Sequence, residues 1–178
     1  ENQLVDITHD DIEIFYGDHH LSHAAYAFYT SPFDKSSILT VDGVGEWATT
    51  SMYYAEANKI TKVQSIDFPH SLGMLYSAFT AFLGFKPNEG EYKVMGLAPY
   101  GNPKRFLNKY RKFYNLTDDG GFELNMEDFT FGWSDTHMVN EKVGKLLGIP
   151  NRLPGDNLNQ PHKYLAATLQ DEYEFLLF

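Results

Sequence analysis

Ser36-Ser37-Ile38-Leu39-Thr40-Val41-Asp42-Gly43-Val44-Gly45 is the stretch on which the fold turns. Ser36 to Asp42 is β-branched and apolar on both faces, the pattern of a strand buried from two sides. Gly43 and Gly45 then break it. Upstream, His19 to Tyr29 has helical character and is ended by Ser31-Pro32, because the residue before a proline avoids the α region. Residues 12–17 before it are expected to form a short strand. Downstream, Ala48 to Phe68 alternates about a turn at Ala57-Asn58-Lys59, which predicts a hairpin. Ser71 is a good N-cap for a helix whose stripe, Leu72, Leu75, Tyr76, Phe79 and Leu83, belongs to the core. Strands mixed with helices predict α/β layering.

The remainder reads outward from there. A turn-rich stretch from Gly84 to Gly101 encloses a short helical run, and Lys104 to Tyr114 is expected to be a basic helix. Residues 115–135 mix turns with short strand-like pieces. Helices follow near 136–147 and 161–178, separated by the loop around Pro150, Pro154 and Gly155. In the last helix Leu165, Leu169, Tyr173 and Leu176 line one face, which has no later element to cover it. With Glu1 as first residue, this suggests a piece of a longer protein.

Composition narrows the classes of function. The chain has 178 residues, 43% of them hydrophobic, enough for one sizeable core and too many for disorder. A net charge of -10 argues against nucleic acid and anionic membrane surfaces, which its field would repel. No apolar run approaches the roughly 20 residues that span a bilayer, and a cytoplasmic location is expected. Cysteine is absent, so any metal is held by nitrogen and oxygen. The sequon at Asn115-Leu116-Thr117 reads as chance.

Asp18-His19-His20-Leu21-Ser22-His23 opens a helix, and positions 19 and 23, four apart, project from one face. Leu21, Ala25 and Phe28 lie roughly opposite and are expected to pack inward. Two imidazoles at this spacing clamp a divalent metal, with Asp18 available to accept a ring N–H; a plain surface histidine cluster is the alternative. Asp42 favours the metal, because ligands of open α/β sheets gather at strand ends and the glycines beyond it admit a substrate. Two histidines and a carboxylate suit Fe(II) or Zn(II). His20 points a quarter-turn away. Glu91 to Gly101 is a glycine-punctuated stretch in which backbone N–H groups and Lys93 offer a phosphate site, although no P-loop follows. His9, His70, His137 and His162 have no partners at useful spacing and read as structural or exposed.

Taken together, Asp18 to Ala25, Asp42-Gly43-Val44-Gly45-Glu46, Ser71 to Tyr76, Gly84-Phe85 and Gly90 to Gly101 resemble the ATP-dependent O-carbamoyltransferases of nodulation-factor and antibiotic biosynthesis. The resemblance implies a partial domain of the actin/Hsp70-like (ribonuclease H-like) ATPase superfamily, similar to the tRNA threonylcarbamoyl-adenosine synthase subunit. Residues 1–178 would then be part of the N-terminal carbamoyltransferase domain. A separate C-terminal domain would make carbamoyladenylate from ATP and carbamoyl phosphate. The domain here would pass the carbamoyl group to a hydroxyl of a small-molecule acceptor.

The resemblance also assigns roles. His19, His23 and Asp42 match the ligands of a metal that is iron in the family, with zinc as the other choice. A fourth ligand, the adenosine loop and the adenylate-forming domain would lie outside these residues, so these residues alone are expected to be inactive. Gly43, Glu91, Lys93 and Gly96 are expected to bind the nucleotide or carbamoyladenylate. His20 is the one nearby candidate for a base. An oligomer is compatible with all of this. Two other readings stay open: a tRNA-modifying or hydrogenase-maturation carbamoyl transferase, against which the acidic charge and missing cysteines weigh, and a non-catalytic nucleotide- or metal-binding module of actin-like fold.

Overall fold

The structure is a computed structural model that describes residues 15–132 and 138–178. The predicted strand at 12–17 and the start of the predicted helix at 136–147 fall partly outside these residues, as do His9 and His137. Phe15 to Gly17 are exposed and carry no strand.

Helix α1 (His19–Tyr29) begins where Asp18 caps it, accepting the Leu21 N–H, and ends at Thr30. Three strands follow: β1 (Lys35–Gly45), β2 (Ala48–Glu56) and β3 (Lys59–Asp67). They form an antiparallel meander in the order β1-β2-β3, with Leu39 opposite Met52 and Ser51 opposite Ser65. The hairpin turn at Ala57 and Asn58 is as predicted; Ala57 takes a left-handed φ of 56°. β1 corrects the expectation of a strand buried on both faces. Among the described residues it pairs with β2 alone, and Leu39 is 45% exposed. A run of β-branched residues reports strand propensity, while burial depends on what packs over it.

Helix α1 also corrects the sequence. Its inward residues are His20, Ala24 and Phe28, whereas Leu21 is 39% exposed. The packed stripe is rotated toward His20, whose Nδ1 lies 2.7 Å from the buried Ser51 Oγ on β2.

Helix α2 (Leu72–Phe82), capped by Ser71 as expected, lies below β1 and is the centre of an aromatic core. Around it run α3 (Glu91–Leu97), a 3₁₀ turn over Pro103–Arg105, α4 (Leu107–Tyr110), the hairpin β4 (Tyr114–Leu116) and β5 (Phe122–Leu124), α5 (Glu141–Leu147) and α6 (Gln160–Leu177). The predicted basic helix from Lys104 to Tyr114 is thus two short turns. The Thr168 hydroxyl donates to the Pro103 carbonyl at 2.7 Å, the carbonyl that an unbroken α-helix would give to Leu107 N–H. α5 starts at Glu141 because Asn140 caps it, its side chain accepting from Lys142 N–H.

The face of α6 expected to lack cover is covered by elements that precede it. Leu165 and Leu169 are fully buried, and Tyr173 and Leu176 pack on the same core. Tyr76 donates its hydroxyl to Gln170 at 2.9 Å, and the buried Glu172 carboxylate takes a two-pronged bond from Arg111 and a short one from Tyr114. The architecture is mixed α/β with antiparallel sheets, the helix of the histidines on one side of the meander and the aromatic body on the other. No helix among the described residues is long and apolar enough to cross a membrane.

Candidate metal centre and adjoining cavity

The Asp18 cap fixes the first turn of α1, and with it the direction of His19 and His23. Their Nε2 atoms lie 3.0 Å apart, with the rings edge-to-face at 4.6 Å between centroids. His19 Nε2 is 2.8 Å from Asp42 Oδ2, and His23 Nε2 is 3.9 Å from the same oxygen. One ligand atom from each of the three residues falls within 4.8 Å of the others. The two Nε2 atoms can share only one proton, so a ring lone pair and a carboxylate converge on one spot. That donor set fits a borderline divalent cation.

Asp42 is half-buried. Burial raises its pKa, but the His19 hydrogen bond and the Gly43 N–H, 2.7 Å from Oδ1, outweigh it and hold the carboxyl below the usual range. Asp18 does not accept a ring N–H. Its carboxylate is taken by Leu21 N–H at 2.7 Å, Lys62 at 3.2 Å and Tyr53 OH at 3.4 Å, because the helix cap and the neighbouring strands claim it first. The Leu21 N–H is the main cause of its lowered pKa.

His20, the expected base, turns beneath the cluster. It is 1% exposed, with Nδ1 2.7 Å from Ser51 Oγ and Nε2 buried without a partner. A general base has to come within about 3 Å of the proton it removes, and here neither ring nitrogen is open to an acceptor. Burial is also what lowers its pKa.

Asp42 has a second neighbourhood. Together with Gly43 it borders a cavity of about 550 Å³ whose walls include Met74, Tyr92, Met95 and Tyr173, with Glu91, Asn88 and Gln170 as polar groups. Glu91 is bound inward, accepting from Ser77 OH at 2.6 Å, Asn88 N–H at 2.8 Å and Gly90 N–H at 3.1 Å. These bonds override the burial that would raise its pKa and leave it lowered. Its own carboxylate therefore occupies the N–H groups of Asn88 and Gly90, immediately before the stretch that the sequence offered to phosphate.

Of the residues predicted to hold nucleotide, Gly43 and Glu91 line the cavity, whereas Lys93 and Gly96 do not. Lys93 is exposed, its Nζ 5.8 Å from the Tyr92 ring centroid, and a side chain at Gly96 would meet open space. Positions 93 and 96 lie two and five residues beyond Glu91, on other faces of a 3.6-residue helix.

Sequence reasoning missed what holds Asp42 in place. Ser71, read only as a cap, also donates to the Gly43 carbonyl at 2.6 Å. Gly73 lets α2 approach so closely that a Cβ there would stand 2.9 Å from Asp42 O and Gly43 N. A glycine in the first turn of a helix, where it costs up to about 1 kcal/mol, was the available signal.

A sequence profile of the carbamoyltransferase N-terminus matches residues 3–178. The chain is 48% identical over 163 residues to an uncharacterised protein of Synechocystis sp., covering 92% of this chain and 26% of that protein. It is 34% identical to the nodulation protein NolNO of Sinorhizobium fredii, over 95% of this chain and 23% of NolNO. It is 32% identical to the nodulation protein NolO of Bradyrhizobium diazoefficiens, over 90% of this chain and 27% of NolO. The chain thus spans about a quarter of the length of these curated relatives.

Proposed function

This chain belongs to the carbamoyltransferase family, and from that premise we propose that it helps move a carbamoyl group from carbamoyladenylate to a hydroxyl of a small-molecule acceptor. The observation that carries the reading is the double membership of Asp42. It is part of the His19–His23–Asp42 cluster and also part of the wall of the cavity that Gly43 and Glu91 line. A donor lying in that cavity would have its reacting end beside the cluster and its nucleoside toward Glu91, Tyr92 and Met95.

His19, His23 and Asp42 would hold a divalent ion, Fe(II) in preference to Zn(II). When bound, such an ion supplies Lewis-acid stabilisation of the charge that develops on a carbonyl oxygen under attack. The residues themselves bind and orient. Asp42, fixed by Gly43 N–H and tied through Ser71 to α2, sets one corner of the cluster, and the Asp18 cap sets the other two through the helix. His20 supports the cluster from beneath. Lys93 would reach the donor phosphate by swinging off Tyr92. The wider reading places the domain in the actin/Hsp70-like superfamily, with ATP and carbamoyl phosphate consumed by a further domain of the whole protein. A reaction fed by these two compounds fits a cytoplasmic location.

The test is His19→Ala and His23→Ala in the full-length protein, read by metal content, carbamoyl transfer and thermal midpoint. Both variants are expected to lose metal and transfer and to keep the midpoint close to that of the parent, since both side chains are partly exposed. Variants that retain stoichiometric metal and full transfer would sink the proposal.

A further inference from the structure

Gly45 and Ser51 both lie against the imidazoles of the cluster. We infer that Gly45 and Ser51 are positioning residues that set the His19 ring against Asp42, an inference that rests on the metal reading above. The β1 register shifts between Val41 and Gly45, and this brings Gly45 under the first turn of α1. A Cβ at Gly45 would stand 2.5 Å from His19 Cδ2, 2.7 Å from His20 Cδ2 and 2.8 Å from His20 Nε2. Two imidazoles therefore occupy the space that any other residue would fill.

The two rings differ in their freedom to yield. His20 is walled in: its side chain is buried and its Nδ1 is bound to Ser51 Oγ on β2. The His19 side chain is 42% exposed. Filling the space at 45 thus displaces both rings, and His19, the nearer and the freer of the two, takes the larger part of the movement, while the walled-in His20 gives by a few tenths of an ångström. His23, edge-on at 4.6 Å, closes the other side, so in the native arrangement the His19 ring has one resting place, with Nε2 toward Asp42. Gly45 is also not among the glycines with positive φ. Alanine at 45 consequently meets no left-handed backbone strain, and its effect reports the displaced ring. Ser51 acts one step further back, through His20.

The experiment uses the full-length protein, with Co(II) as the probe, titrated in competition with a chelator. Histidine ring resonances of the metal-free protein are recorded in parallel. Gly45→Ala is expected to fold, to shift the His19 ring resonances, and to bind Co(II) about 10- to 100-fold more weakly, the range found when groups that orient metal ligands are lost. Ser51→Ala should weaken binding in the same direction and by less. Val44→Ala, which alters the same bulge without adding an atom near the rings, should stay within about twofold. A folded Gly45→Ala protein with parental affinity and unmoved His19 resonances overturns the inference, as does a Val44→Ala loss of equal size. Should Gly45→Ala not fold, parental affinity in Ser51→Ala overturns it instead. Failure of the metal reading looks different: the parent and His19→Ala would then bind Co(II) equally poorly, while the ring resonances still report whether Gly45 sets His19.

Discussion

The aromatic body around α2 and the α1–meander layer above it are held together on opposite terms. In the body, Phe79 is the hub. Its ring meets Phe82, Tyr110, Phe113 and Phe129 at 5.0 to 6.4 Å, and all five are buried. Such edge-to-face and tilted contacts add to the transfer of large apolar surface from water, and nothing in them has to stay reactive. In the layer above, the contacts are short, polar and partly wet: Asp18 to Lys62, His19 to Asp42, His20 to Ser51. The first two are partly exposed and contribute about 0–1 kcal/mol each, whereas the His20–Ser51 bond is buried. Stability is concentrated where there is no chemistry, and the polar atoms capable of chemistry sit where little stability is at stake.

The contrast breaks most easily at Phe79. Phe79→Ala should destabilise the chain by about 3–5 kcal/mol, the transfer term plus the cavity that the surrounding rings cannot close. Urea denaturation measures it, and a loss below about 1 kcal/mol would mean that the body is not the stabilising half.

A smaller effect is expected from the other region. Asp18→Ala should cost about 1 kcal/mol, the usual worth of a helix N-cap, with little added by the half-exposed Lys62 pair. Asp18→Asn keeps the cap and should recover most of it in the same denaturation experiment. A cost for Asp18→Ala approaching that of Phe79→Ala would erase the distinction between the regions.

The smallest effect is a pH dependence within the body. His162 completes the capping box of α6, and burial, aided by the Arg152 charge and opposed by Asp156, lowers its pKa below the ordinary histidine value. As pH falls, the unfolded chain takes the proton first, so stability rises with pH through this window. The His162 contribution is complete above the unfolded value of about 6.5 and is lost as pH drops from there toward the folded value. His162→Gln should flatten that segment of the stability curve, and an unaltered slope would show that His162 titrates as if exposed.

Much of this organisation is legible in the sequence alone. Ser71 announced a helix start, the turn at Ala57-Asn58-Lys59 announced a hairpin, and the stripe from Leu72 to Leu83 announced the core, because caps, turns and periodicity act over a few residues. His19 and His23 could be paired from their spacing alone. The misreadings share one cause. β1 looked buried on both faces, the Lys104 to Tyr114 segment looked continuously helical, and the last face of α6 looked bare. In each case the outcome depended on a partner distant in sequence: the open side of β1, Thr168 reaching Pro103, and the α2 core that receives Leu165 and Leu169.

The same division runs through the candidate site. The sequence by itself determined which side chains can bind a cation and that two of them share a helix face, since residue chemistry and the 3.6-residue period are local properties. Only the tertiary structure decided that Asp42, 23 residues from His19, closes the cluster at 2.8 Å. It also turned His20 inward to Ser51, drew Glu91 but not Lys93 to the cavity wall, and made Gly45 the floor beneath two imidazoles. Those outcomes follow from how α1, the meander and α2 pack against one another, and close packing is a property of the assembled chain that no short window of sequence contains.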